Sequence, residues 1–89
     1  MLQENEFIKR ELLKIILEKN RIPKKIIYCR NGKSQKLCLS IPQAGEFLDL
    51  TSLTISTYLS RGIYTATSKI FRLIDGKGYL RLILKERLK

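Results

Sequence analysis

The stretch Ser40 to Gly62, SIPQAGEFLDLTSLTISTYLSRG, decides how this chain is read. Ser40 is a good helix N-cap, Pro42 suits a first helical turn, and Gln43 stands where a capping box takes Glu or Gln. Ala44 and Gly45 are a pair of small residues that let a second helix cross the first closely. Leu48 ends the first helix, Asp49 occupies a tight turn, and Leu50 fills the corner from inside. Thr51 or Ser52 then N-caps a second helix, anchored by Ile55, Tyr58 and Leu59. Arg61-Gly62 ends it, since Gly enters the αL conformation without strain. Small pair, corner apolar residues, turn residue and anchors together predict a helix-turn-helix. An ordinary pair of packed helices would need only some of them. Asp49 stands where such turns usually have glycine, and Asp tolerates αL better than most side chains.

Outward from this stretch, Lys25 to Arg30 (KIIYCR) and Lys36 to Ser40 (KLCLS) flank Asn31-Gly32-Lys33-Ser34-Gln35. Asn-Gly between two β-rich runs predicts a hairpin. A four-residue loop puts Ile26 and Tyr28 on one face with Leu37 and Leu39, and Ile27, Cys29 and Cys38 on the other. Residues 3 to 20 read as a first helix, with Phe7, Ile8, Leu12, Ile15 and Ile16 at helical spacing and Leu13 and Leu17 widening the stripe. Asn20 and Pro23 stop it. The stripe packs on the core or serves a homodimer through this N-terminal helix. Beyond Gly62, residues 69 to 75 (KIFRLID) read as a strand and Gly76-Lys77-Gly78 as a turn. Tyr79 to Leu84 is then a returning strand or the start of a helix reaching Leu88, and the alternation before the turn favours a hairpin. The expected fold is α+β and winged-helix-like. Its order is N-terminal helix, β-hairpin, helix-turn-helix and C-terminal β-hairpin, in a single domain over residues 1–89.

The chain has 89 residues, of which 44% are apolar, enough for one small core. No apolar run nears the ~20 residues of a membrane span, and the N-terminus lacks the pattern of a secretory signal, so a cytoplasmic location is expected. Eighteen basic residues against eight acidic ones give a net charge of +10. Such an excess on a small body attracts polyanions, double-stranded DNA above all. With two cysteines and no histidine, neither a metal site nor a cofactor is expected, and Cys29 and Cys38 read as free thiols on strands. Without histidine, a Gly-rich phosphate loop or paired carboxylates, the chain does not read as an enzyme.

The hairpin IIYCRNGKSQKLCLS running directly into the Ser40–Gly62 stretch resembles the nuclease-associated modular DNA-binding repeats appended to homing endonucleases. The pattern of those repeats is like S-x-x-E-A-A-x-x-L-G-I-S-x-x-T-I-S-x-x-L. Ser40, Ala44, Leu48, Leu50, Thr54, Ile55, Ser56 and Leu59 fall on its places, while Gln43, Gly45 and Asp49 replace the acid, the second alanine and the glycine. The resemblance covers roughly residues 26 to 62 and implies DNA binding. With no nuclease module beside it, the implied role is a small transcriptional or recombination regulator of a phage, plasmid or mobile element.

In such a motif the second helix enters the major groove. Its exposed face offers Thr51, Ser52, Leu53, Ser56, Thr57, Ser60 and Arg61. Hydroxyls can bond to bases or phosphates, and Leu53 can meet a thymine methyl. No Arg, Lys, Asn or Gln lies between Thr51 and Ser60. The bidentate base contacts worth roughly 1–3 kcal/mol each are therefore missing, and base specificity is expected to be modest. Phosphate contacts are expected from Lys69, Arg72, Lys77 and Arg81 of a C-terminal hairpin, whose Gly-Lys-Gly tip would be a wing. Arg30, Lys33 and Lys36 of the first hairpin, and Lys85, Arg87 and Lys89, are further candidates. Six to eight such contacts would give a salt slope of about −5 to −7. The competing reading is a protein-interaction module or phage-type inhibitor that binds an acidic partner protein, for which a charge-free helix face is equally suited.

Overall fold

The structure, a computed structural model, describes residues 3–63, 65–66 and 68–87. They fall into two compact units, one of Lys25–Ile74 and one built from the segments before and after it. The α+β layout expected from the sequence is present, with helices and an antiparallel sheet.

In the central unit, β1 (Ile27–Asn31) and β2 (Ser34–Cys38) form the first hairpin. The register pairs Tyr28 with Leu37 and Ile27 with Cys38, as the four-residue loop predicts, but zips one pair further to Asn31 and Ser34. Gly32 takes φ 63° at the first position of the two-residue turn, where an L side chain would be strained. The helix α2 (Ile41–Leu48) starts at Ser40, whose Oγ accepts from the Gln43 N–H at 3.3 Å. Gln43 reaches back to the Leu39 N–H at 3.0 Å, one residue short of a regular capping box. Asp49 sits in αL (φ 56°, ψ 46°) at the turn. Thr51 caps α3 (Ser52–Ser60) by accepting from the Thr54 N–H at 3.1 Å.

Both helices pack on one face of the sheet. Ile27, Cys29, Cys38, Ala44, Leu48, Ile55 and Phe71 form its buried core, with Leu50, Tyr58 and Leu59 against it. The anchors read from the sequence are thus in place. Cys29 and Cys38 are free and buried. A hydrogen bond with the Cys38 thiol, and then burial, pushes the Cys29 thiol far above its usual range.

The sheet has the order β2-β1-β4-β3, where β3 is Thr65–Ala66 and β4 is Lys69–Leu73. The strand expected over 69–75 is therefore present, but the hairpin expected to follow it is not. Its partner lies before it, in β3, and its other edge pairs with β1. With both edges occupied, β4 has no hydrogen-bonding side left for residues 79–84. These residues belong to α4 (Gly76–Arg87). Asp75 starts that helix, its Oδ1 accepting from the Gly78 N–H at 3.1 Å and its carbonyl from the Tyr79 N–H at 3.0 Å. Asp75-Gly76-Lys77-Gly78 is thus a capped helix start rather than a hairpin tip.

The second unit contains α1 (Glu4–Lys19) and α4. Glu4 and Glu6 stand in the first turn of α1, which suits the helix dipole, and Asn20 ends the helix in αL at φ 56°. The two helices are joined by Tyr79 Oη donating to Asn5 Oδ1 at 2.8 Å and by a Lys9–Glu86 ion pair at 2.6 Å. The Glu86 carboxylate, by accepting this bond, holds the Lys9 ammonium above the usual lysine range.

Candidate nucleic-acid interface

Close crossing of α2 and α3 depends on Gly45. A Cβ there would lie 2.7 Å from the Leu50 carbonyl oxygen, and the Leu50 N–H in turn donates to the Gly45 carbonyl at 3.0 Å. The corner is therefore locked by backbone on both sides. Tyr58 stacks on Phe71 of β4, with ring centroids 6.3 Å apart, and ties the inner face of α3 to the sheet. The outer face is left open.

On that outer face Ser52, Leu53 and Ser56 are exposed, Leu53 by 77%. Ser52 and Ser56 keep their hydroxyls free of partners among the described residues. Two other hydroxyls named above are engaged locally. Thr51 Oγ1 shares a 2.7 Å hydrogen bond with Thr54 Oγ1, and Ser60 Oγ donates to the Thr57 carbonyl at 2.9 Å. Thr57 is half-buried, and Arg61 is exposed at the C-cap. Gly62 turns the chain away at φ 73°, as its sequence position predicts. The helix face thus offers two unengaged hydroxyls, one leucine and a terminal arginine.

Strand alternation sorts the basic residues of the unit. Lys36 lies opposite Cys29, and Lys69 is two residues from Phe71, so both belong to the helix-bearing face of the sheet. Asn31 is on that face too, and its amide donates to the Phe47 carbonyl at 3.4 Å. Arg72 is turned to the opposite face, its guanidinium 5.8 Å from the Tyr28 ring centroid. Arg30 is also on that side, with Nε donating to the Gly32 carbonyl at 3.0 Å. Lys33 is exposed in the first hairpin turn. Two residues expected on a C-terminal wing, Lys77 and Arg81, lie instead on α4 in the helical unit, because that segment is helical.

The hairpin that does follow α3 is β3–β4, which sequence reading missed. Its first strand is described over Thr65–Ala66, too short a stretch to show a period. Thr65 and Ser68 are exposed on it, and Ser68 takes φ 66° near the tip. Lys69, paired with Ala66 beside the turn, is half-buried.

Among the described residues no group of three His, Cys, Asp or Glu side chains could hold a metal ion. Among the described residues, no helix is long and apolar enough to cross a membrane. A shallow groove of about 290 Å³ in the helical unit is lined by Asn5, Asp75, Gly78, Tyr79 and Leu82. The polar groups of Asn5, Asp75 and Tyr79 there bond to one another or to the backbone. Comparison with protein-family models, with curated proteins and with solved structures gave no match to this chain.

Proposed function

We propose that the chain binds duplex DNA by laying α3 in the major groove, with modest base discrimination, and acts as a small regulator of transcription or recombination. One observation carries this reading. The outer face of α3 is open, with Ser52, Leu53 and Ser56 exposed, on a helix pair locked by the Gly45–Leu50 corner. The charge of the unit supports it. Lys25, Arg30, Lys33, Lys36, Arg61, Lys69 and Arg72 stand against only Glu46 and Asp49. Hydroxyls and a leucine can follow groove edges and a thymine methyl, while the surrounding cations neutralise phosphates.

The test is a mobility shift on random-sequence duplexes at low and moderate salt, with wild type and Ser56→Glu. Wild type should bind at low salt and weaken steeply as salt rises. Ser56→Glu puts a carboxylate on the groove-facing side and should abolish the shift. Equal binding by Ser56→Glu would mean that α3 does not enter the groove. A wild-type protein that fails to bind at low salt would transfer the proposal to an acidic protein partner. The absence of charge on the α3 face and the 77% exposure of Leu53 also suit that partner.

A further inference from the structure

We infer that α4 carries a second phosphate-binding surface, a stripe formed by Lys77, Arg81 and Lys85. The inference rests on the DNA-binding reading above. Residues four apart lie on one side of an α-helix, with a rise of about 6 Å per step. Lys77, Arg81 and Lys85 are all exposed and hold no ion pair among the described residues. Tyr79, Ile83 and Glu86 mark the side toward α1, through the Asn5 hydrogen bond, burial and the Lys9 ion pair. At about 100° per residue, the stripe falls on the far side of the helix from them.

The two helices of this unit handle charge differently. On α1, carboxylates alternate with cations, and Lys9 and Lys14 are paired to Glu6 and Glu11 three residues away. On α4 the only carboxylate is Glu86, and it is taken by Lys9. Like charges four residues apart destabilise a helix. Lys77 also stands in the first turn, where a cation opposes the helix dipole, and the carboxylate beside it, Asp75 at the N-cap, is engaged with the Gly78 N–H. A surface selected only for helix stability or solubility would interleave signs, as α1 does. An unneutralised stripe of one sign suits a polyanion that supplies the missing charge. Its length of roughly 12 Å matches the axial rise of about three to four base pairs. Duplex DNA is taken as the polyanion because the central unit of the same chain offers, in the open face of α3, a helix suited to a groove.

The experiment measures affinity for a fixed duplex over a series of salt concentrations. It uses the full chain as wild type, as Lys77→Gln/Arg81→Gln/Lys85→Gln, and as the control Arg10→Gln/Lys14→Gln/Lys19→Gln. Circular dichroism checks that each variant keeps its helices, and Gln is a helix former comparable to Lys and Arg. The slope of log affinity against log salt should become shallower by about two to three in the α4 variant. The α1 control, which removes the same charge, should change it by less than about one. Unchanged slope in the α4 variant, or an equal change in both variants, would overturn the stripe while leaving DNA binding intact. Wild type that binds no duplex would remove both. If wild type binds phosphatidylserine vesicles through these residues while its DNA slope is unaffected, the surface belongs to a membrane instead.

Discussion

Replacing Gly45 by alanine isolates the contact on which the helix-turn-helix depends. The added Cβ would stand 2.7 Å from the Leu50 carbonyl oxygen, so the two must part by about 0.7 Å to reach the 3.4 Å of ordinary contact. Leu50 cannot yield freely, because its N–H is bonded to the Gly45 carbonyl and the Asp49 N–H caps α2 on the same oxygen. Overpacking against such a fixed group costs up to about 3 kcal/mol. The better helix propensity of alanine returns about 1 kcal/mol. The expected net loss is therefore about 2 kcal/mol, or roughly 10 °C in Tm for a chain of this size. Gly78→Ala is the matched comparison. Its Cβ would also meet an oxygen at 2.7 Å, but that oxygen is Asp75 Oδ2, and displacing this side chain costs at most its cap of about 1 kcal/mol, which the helix propensity of alanine offsets. That variant should lie within about 0.5 kcal/mol of wild type. Urea unfolding followed by circular dichroism measures both. If Gly45→Ala is as stable as wild type, or if Gly78→Ala loses as much, backbone rigidity at the corner is not what excludes a side chain there.

Three further outcomes follow from single contacts. Asp75→Ala should destabilise α4 by about 1 kcal/mol and speed exchange of the Gly78 and Tyr79 amides several-fold, while Asp75→Asn, whose Oδ1 can accept the same bond, should show little of that loss; unchanged exchange in Asp75→Ala would show that Asp75 does not cap the helix. Cys29 and Cys38, both buried and with the Cys29 thiol pushed up, should resist a disulfide reagent at neutral pH and react fully in denaturant; prompt reaction of the native protein would contradict their burial. On duplexes enriched from a random pool, replacing thymine by deoxyuracil should weaken binding about fourfold, the worth of one buried methyl, and Leu53→Ala should erase the difference; equal affinity of wild type for both duplexes would remove Leu53 from the base-reading face.

The central unit was legible because its signals are local and agree with one another. The Ser40 and Thr51 caps, the small pair, the Leu50 corner and the Ile55 and Tyr58 anchors each constrain the same two helices. The first hairpin was legible for a related reason. Its facing depends only on register, so strands that zip one pair beyond the expected loop still place Ile27, Cys29 and Cys38 together. The C-terminal part turns on a non-local fact. Asp-Gly-Lys-Gly followed by YLRLIL satisfies both a hairpin and a capped helix, and the two are told apart by which edges of β4 are free. That depends on β3, whose described residues, Thr65–Ala66, carry no period of their own. The correction moves Lys77 and Arg81 off a wing and onto a helix, and strand alternation separates Arg72 from Lys69. The candidate interface therefore keeps the division of tasks expected from the sequence but places several of its cations on other elements. On the proposed reading, α3 supplies shape and a few weak base contacts, while cations on separate elements supply the phosphate attraction. A protein built this way should tolerate base changes in its site more readily than the loss of its lysines and arginines, because phosphate neutralisation is independent of sequence.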